Sequence, residues 1–147
     1  MNFEEFIKSY NEIYKAYNRV YHKLAVNCGL SDSALNILYE LRAENRAISQ
    51  KDLGIALSLS KQTVNSAIMA LVSDGLVEIV DSEQDKRTKL VNFTKKGELF
   101  AIDKIDKIIQ AEERAFLRLS PIEARQMVKM EKQYFEYFLE ESNKIKF

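Results

Sequence analysis

The apolar residues of this chain recur at intervals of three or four over most of its length, which is typical of amphipathic helices. Residues 2–27 form the first such stretch and carry a wide aromatic stripe. The stripe consists of Phe3, Phe6, Tyr10, Tyr14, Tyr17, Tyr21 and Leu24, with Ile7, Ile13 and Val20 beside it. This pattern predicts one long helix that faces a core, and the amount of aromatic surface also favours contact with a partner.

A second helix is predicted over roughly residues 32–44, after the first ends at Asn27-Cys28-Gly29. Ser31 stands where an N-cap is expected. The apolar side of this helix is formed by Ala34, Leu35, Leu38, Tyr39 and Leu41. Ala47 and Ile48 follow as a short β-prone segment that could pair with a later hairpin.

Two shorter helical patterns joined by a tight turn occupy residues 49–75. Ser49 is placed to cap the first, and Asp52 would complete a capping box. The apolar face and the turn contact come from Leu53, Ile55, Ala56, Leu57 and Leu59. Ser60 is placed to cap the second helix, in which Val64, Ala67, Ile68 and Leu71 recur at helical spacing. Gly75 ends it.

The other face of that second helix is polar or basic and contains no acid before Asp74. Its residues are Lys61, Gln62, Thr63, Asn65, Ser66 and Met69. Such a face suits a DNA major groove, with Gln62 and Asn65 reading base edges and Lys61 meeting a phosphate. Ser60, Thr63 and Ser66 complete the predicted contact set, although Ser60 is better explained as a cap. The alternative is an ordinary solvated helix face.

A hairpin with a charged tip follows, with strands predicted over residues 76–80 and 90–93. Residues 84–96 contain five basic residues and one acid, a local charge of +4. We expect Arg87 to enter the narrow, electronegative minor groove, and Lys86 and Lys89 to contact DNA beside it. Asp85 would orient Arg87 through a carboxylate–guanidinium contact. A helix-turn-helix followed by such a hairpin predicts a winged helix.

The remaining sequence predicts two more long helices. Thr94 is placed to cap the first, which runs to about Arg118 with its repeat marked by Leu99, Ile102, Ile105, Ile109, Glu112 and Phe116. Ser120-Pro121-Ile122-Glu123 predicts a new helix start, and that helix runs to about Ser142. Its apolar residues are Met127, Met130, Tyr134, Phe135, Tyr137, Phe138 and Leu139. The excess apolar surface of the first and last helices predicts a homodimer built from both.

Composition narrows the function further. The chain has 147 residues, which suits one domain, and its 22 basic and 22 acidic residues confine any nucleic-acid site to a local patch. One cysteine excludes an internal disulfide, and no apolar run approaches the ~20 residues of a membrane span, so a cytoplasmic protein is expected. A Gly-rich phosphate loop, a G-x-S-x-G motif and a His/Cys cluster are all missing, which argues against an enzyme, a cofactor or a metal site.

Three segments resemble the MarR-type winged-helix transcriptional regulators. These are Leu53 to Ser60, Ala70 to Val77, and Asp85 to Gly97, which matches the D-x-R wing signature and the T-x-x-G that opens the next helix. Ser58 replaces a frequent Gly, so it must adopt a less favoured backbone conformation, and Gly54 replaces a frequent Ala. The resemblance implies one mostly α-helical domain over residues 1–147, with a winged-helix DNA-binding part at 30–97. Residues 1–29 and 98–147 would form long terminal dimerisation helices.

The resemblance also implies a dimeric repressor that binds a pseudo-palindromic operator in duplex DNA and is released by a small aromatic ligand or another signal. Tyr21 and Tyr39 are candidates for an effector pocket. Cys28 is a candidate oxidant sensor, although a lone cysteine more commonly acts as a small inert hydrophobe. The alternative function is a winged-helix protein-interaction module that does not bind DNA.

Overall fold

The fold is mostly α-helical with a small sheet, as the spacing of apolar residues predicts. The computed structural model describes residues 1–84 and 87–146. Its helices are α1 (Phe3–Asn27), α2 (Asp32–Glu44), α3 (Gln50–Ala56), α4 (Lys61–Ser73), α5 (Lys95–Phe100), α6 (Asp106–Phe116) and α7 (Pro121–Ser142). A π-helical turn (Ala101–Ile105), which was not predicted, joins α5 to α6.

The sheet contains the predicted hairpin. Strands β1 (Ile48–Ser49), β2 (Val77–Asp81) and β3 (Lys89–Phe93) are antiparallel and lie in the order β1-β3-β2. Ile48 pairs with Val91, and Val77 pairs with Phe93 at the base of the hairpin. The short strand at Ile48 is confirmed, and both hairpin strands extend one residue further toward the tip than predicted. The winged-helix fold class is therefore confirmed.

Serine and threonine side chains cap the N-termini of most of the helices. The predicted caps Ser31, Ser49, Ser60, Thr94 and Ser120 each accept a hydrogen bond from the backbone N–H three residues on. Ser120 and Glu123 form the predicted reciprocal capping box. The box predicted for Ser49 and Asp52 is incomplete, because the Asp52 carboxylate accepts the Ser49 hydroxyl at 2.7 Å rather than the Ser49 backbone N–H.

The chain divides into two compact units, Met1–Ile108 and Ile109–Phe147. The first contains α1 to α5, the sheet and the π turn, and its core joins α2, α3, α4 and the sheet. The largest fully buried side chains are Leu35, Ile37, Leu38, Leu41, Leu53, Ile68, Leu71, Ile105, Val64 and Val77. The second unit contains most of α6 and all of α7, and none of the described α7 residues is buried.

Much of the predicted core surface on α1 is exposed. Within this helix only Ala25 is buried, whereas Tyr14 is 64% exposed and Tyr17 is 54% exposed. The prediction of a core-facing stripe is therefore wrong for these aromatic residues.

Among the described residues, no single helix has the length and apolarity to cross a membrane, although the bent pair of α3 and α4 meets that test by length and composition.

The buried stripe of the helix after the wing also differs from the prediction. Leu99 and Ile102 are more than half exposed, as is Phe116, while Ala101, Ile105 and Ile108 are buried. The predicted repeat followed the bulky apolar residues. Ile105 belongs to the predicted repeat and is buried as expected, whereas Ala101 and Ile108 lie outside that repeat and are buried in place of Leu99 and Ile102.

The backbone of α5 lies very close to the backbone that follows α4. A Cβ atom on Gly97 would lie 1.8 Å from the Leu76 carbonyl oxygen. The Thr94 N–H donates to that same oxygen at 3.1 Å, and the Thr94 hydroxyl donates to the Gly75 carbonyl at 2.6 Å. The Lys96 ammonium donates to the Asp74 carbonyl at 2.6 Å, which satisfies a backbone acceptor at the end of α4. We call these contacts the α4–α5 joint.

A bidentate ion pair fixes the other end of this segment. The Arg42 Nε and Nη2 atoms of α2 donate to the two carboxylate oxygens of Asp106, each at 2.7 Å. The hydrogen bond from Arg42 lowers the pKa of Asp106, against the opposing effect of burial. Because each side chain is about three-quarters buried, solvent screens this pair less than a surface pair.

Two glycine substitutions provide a matched test of the joint. A Cβ on Gly54 would meet only ordinary contacts, 3.4 Å from the Leu59 oxygen and 3.7 Å from Val64 Cγ2. We expect Gly54→Ala to raise the free energy of unfolding by ~0.5–1 kcal/mol, because alanine favours a helix interior. We expect Gly97→Ala to lower it by about 3 kcal/mol, since the new methyl group collides with backbone.

Urea unfolding followed by far-UV circular dichroism measures both effects in a chain that contains no tryptophan. Wild-type stability in Gly97→Ala would mean that the α4–α5 joint is looser than described.

Candidate nucleic-acid interface

Helix α4 presents two sharply different faces. Val64, Ile68 and Leu71 are at most 1% exposed and anchor the helix in the core. The opposite face is exposed along its length and contains Lys61, Gln62, Thr63, Asn65, Ser66 and Met69. The structure therefore brings the predicted polar set to one accessible surface that carries no carboxylate. We call this surface the α4 face.

Two of the hydroxyls in this set are already engaged. The Ser60 Oγ accepts the Thr63 N–H at 3.1 Å and lies 2.8 Å from the Thr63 Oγ1. Ser60 therefore acts as the N-cap that its position predicts. The remaining polar members of the α4 face are Lys61, Gln62, Asn65 and Ser66, and all four are exposed.

The turn before α4 holds the helix in place through a strained residue. Ser58 has a φ of 51°, in the left-handed region, which is the less favoured conformation that the family resemblance implies at this position. The Leu59 N–H donates to the Gly54 carbonyl at 3.0 Å, and the Gln50 side chain donates to the Lys61 carbonyl at 3.5 Å. These contacts and the α4–α5 joint fix both ends of α4.

The wing projects beside the α4 face. Arg87 is exposed, as its predicted role requires. Asp81 and Lys89 form an ion pair between the two hairpin strands, and the Ser82 N–H donates to the Thr88 carbonyl at 3.0 Å. Lys89 therefore carries a partly compensated charge, which the sequence did not reveal. The predicted roles of Asp85 and Lys86 fall outside the described residues.

A cleft of about 880 Å³ separates α3 and the start of α4 from the wing. Among the described residues that line it, Lys51, Lys61, Arg87 and Lys89 are basic and Asp52 is acidic. Three of these cations were predicted to contact DNA, and the structure brings them to one cleft. The arrangement can hold a polyanion between the helix and the hairpin.

Sequence reasoning missed two residues of this cleft. Lys51 was not assigned a role, and Ile55 was assigned to the apolar packing face of α3, although it is 68% exposed and lines the cleft. Their spacing of four places them on the same side of the helix. That spacing was a usable signal, because Leu53 had already identified the buried side.

Tyr21 and Tyr39, the predicted effector residues, meet in a separate cavity. It has a volume of about 220 Å³ and is also lined by Asn36, Glu40 and Leu57. Cys28 does not belong to this lining. Burial raises the pKa of the Cys28 thiol, and the weaker influence of Lys104 opposes that shift. A raised pKa lowers the thiolate fraction at neutral pH, so this site does not favour an oxidant sensor.

The described residues contain no group of three or more His, Cys, Asp or Glu that could hold a metal ion. His22 instead pairs with a single carboxylate, with its Nδ1 atom 2.8 Å from Asp32 Oδ1.

Comparisons with known proteins agree with this geometry. A MarR family model matches residues 29–88. A MarR family regulator from Neisseria meningitidis is 23% identical, with a TM-score of 0.80 over 99% of this chain and 100% of that one. A MarR transcriptional regulator from Methanosarcina mazei Go1 is 25% identical, with a TM-score of 0.66 over 92% of this chain and 98% of that one.

The MarR protein of Staphylococcus aureus, solved in complex with salicylate and kanamycin, is 19% identical, with a TM-score of 0.71 over 94% of this chain and 93% of that one. A search of curated protein sequences gave no match. The sequence match over the winged helix and the fold likeness over nearly the whole chain together confirm the predicted resemblance: residues 29–88 match the MarR family model, and the fold is similar to that of solved MarR family regulators.

Proposed function

We propose that the protein is a sequence-specific DNA-binding repressor that acts as a homodimer on a pseudo-palindromic operator. The observation that carries this proposal is the cleft in which Lys61 of the α4 face stands opposite Arg87 of the wing. A duplex presents phosphates on both sides of each groove, and this arrangement matches them with cations from two separate elements. Such a protein works in the cytoplasm, requires no cofactor and has no catalytic role.

Each part of the site has its own task. Gln62 and Asn65 read base edges in the major groove, because carboxamides pair with adenine in a bidentate manner. Arg87 enters the adjacent minor groove, where the negative potential is enhanced. Lys61 and Lys86 contact phosphates, and Ser60, Thr63, Ser66 and Lys89 complete the contact surface. The exposed Lys51 adds a phosphate contact from α3.

The homodimer follows from the surface that a single chain leaves exposed. On α1, Phe3 is 72% exposed and Tyr14 is 64% exposed, and on α7, Met130 is 63% exposed and Phe138 is 60% exposed. Large apolar side chains exposed in this number on each of the two helices favour an association site. A two-fold dimer would present two α4 faces to successive major grooves ~34 Å apart.

Release from DNA follows from binding of a small ligand. The Tyr21–Tyr39 cavity is the better candidate for the site that receives the signal. Cys28 is the weaker candidate, because burial raises the pKa of its thiol above the ordinary value. A ligand shifts the equilibrium only if it binds the released state more tightly than the DNA-bound state.

We predict that Arg87→Ala weakens operator binding by ~1–3 kcal/mol while the fold is retained, because the minor-groove contact is lost. Arg19→Ala is the matched control, since it removes an exposed arginine from α1, outside the cleft. Fluorescence anisotropy of a labelled duplex at fixed salt measures the affinity, and circular dichroism verifies the fold.

Wild-type affinity in Arg87→Ala would remove the wing from the mechanism. If the wild-type chain itself bound duplexes without a steep fall of affinity with salt, the protein-interaction module would become the better account.

We predict that the chain sediments at micromolar concentration as a species of twice its 17.1 kDa mass. Phe138→Glu should shift it toward the monomer, because a charge would have to be buried in the interface. Ile55→Glu is the matched control: it changes another exposed apolar residue, on α3, and should leave the dimer intact. A wild-type chain that sedimented only as the monomer would contradict the dimer.

A further inference from the structure

The cavity at Tyr21 and Tyr39 is small and open to solvent on one side. It lies between α1, α2 and the turn after α3, with a volume of about 220 Å³. At roughly 30 Å³ per water molecule, this is the space of about seven waters. It is smaller than the sites of roughly 300 Å³ and more that hold drug-sized ligands. A single small ring with a short substituent fits this volume.

The charge of the cavity is negative. Among the described residues that line the cavity, Glu40 is the one that carries a charge, and it is half-buried. Within the part of the chain that the structure describes, its carboxylate receives no hydrogen bond and forms no ion pair. A partly desolvated carboxylate gains most from a cationic hydrogen-bond donor. An aromatic acid would instead bring a second negative charge to the same wall.

The remaining lining residues suit the same class of ligand. Tyr21 and Tyr39 offer aromatic surface, to which an ammonium group is attracted through the ring quadrupole. Asn36 adds a carboxamide oxygen that accepts an N–H. We infer that this cavity binds a small organic cation, a primary ammonium attached to one aromatic ring, with Glu40 as its counter-ion.

The position of the cavity connects it to DNA binding, a step that rests on the function proposed above. Leu57 lines the cavity and is the C-cap of α3. The next residue, Ser58, holds the left-handed conformation that turns the chain into the cap of α4. A ligand that displaces Leu57 therefore acts on the turn that sets the position of α4, and lowers the affinity for DNA.

The test uses benzylammonium chloride as the probe, with benzyl alcohol and sodium benzoate as neutral and anionic analogues of similar shape. Calorimetric titration of the full chain at constant ionic strength should show saturable binding of benzylammonium and at least about tenfold weaker binding of benzoate. Glu40→Gln should weaken benzylammonium binding by about tenfold or more. Glu44→Gln is the control, because Glu44 lies on the same helix but outside the cavity lining.

Absence of saturable benzylammonium binding, equal binding of benzoate, or unchanged binding to Glu40→Gln would each overturn the inference. The comparison of the three probes on the wild-type chain keeps the test valid even if Glu40→Gln fails to fold.

DNA binding is measured separately on the same protein. If the chain binds benzylammonium but not DNA, the proposed function fails and the cation site stands. If it binds DNA but not benzylammonium, the cation site fails and the proposed function stands. Bound probe with unchanged DNA affinity would reject the link through Leu57.

Discussion

Contact between the backbone at Leu76 and the first turn of α5 is the constraint on which the rest of the site depends. Gly97 leaves room for the Leu76 carbonyl where any side chain would collide with it. Thr94 and Lys96 then use that proximity to bind three successive carbonyls, those of Asp74, Gly75 and Leu76. As a result, the end of α4, the start of the wing and the start of α5 occupy fixed positions relative to one another.

That constraint explains how a chain without net charge forms a basic site. The 22 basic and 22 acidic residues balance over the whole sequence, so attraction to a polyanion must come from local placement. Fixing the wing beside α4 places Lys61, Arg87 and Lys51 around one cleft. The net positive charge of the cleft is reduced, because Lys89 forms an ion pair with Asp81 within the hairpin. The pair stiffens the hairpin that carries Arg87.

Local rules predicted much of this from the sequence. Helix caps and the hairpin depend on neighbouring residues, and both were predicted correctly. The unusual backbone at Ser58, which the family resemblance implied, is also present. The polar character of the α4 face also followed from its spacing. The winged-helix part therefore matched its prediction closely, while the individual DNA-contact roles remain proposals.

What the sequence did not reveal depends on contacts between distant elements. The spacing of Lys51 and Ile55 indicates that they share one side of α3, but it does not show that the wing lies opposite that side and forms a cleft with it. The predicted repeat included Ile105 but not Ala101 or Ile108, which are also buried, because the spacing of apolar residues did not show which side of the helix faces α2. The aromatic residues of α1 were predicted to face a core, but several of them, including Tyr14 and Tyr17, are exposed. In each case, hydrophobicity alone could not show which partner, if any, covers the residue.

Selection of bound duplexes from a random pool tests the central claim most directly, because it examines the α4 face, the wing and the dimer at once. The account predicts enrichment of inverted half-sites whose centres are about 10 base pairs, or one helical turn, apart. Recovery of duplexes without a shared sequence, or of unrepeated half-sites only, would contradict it.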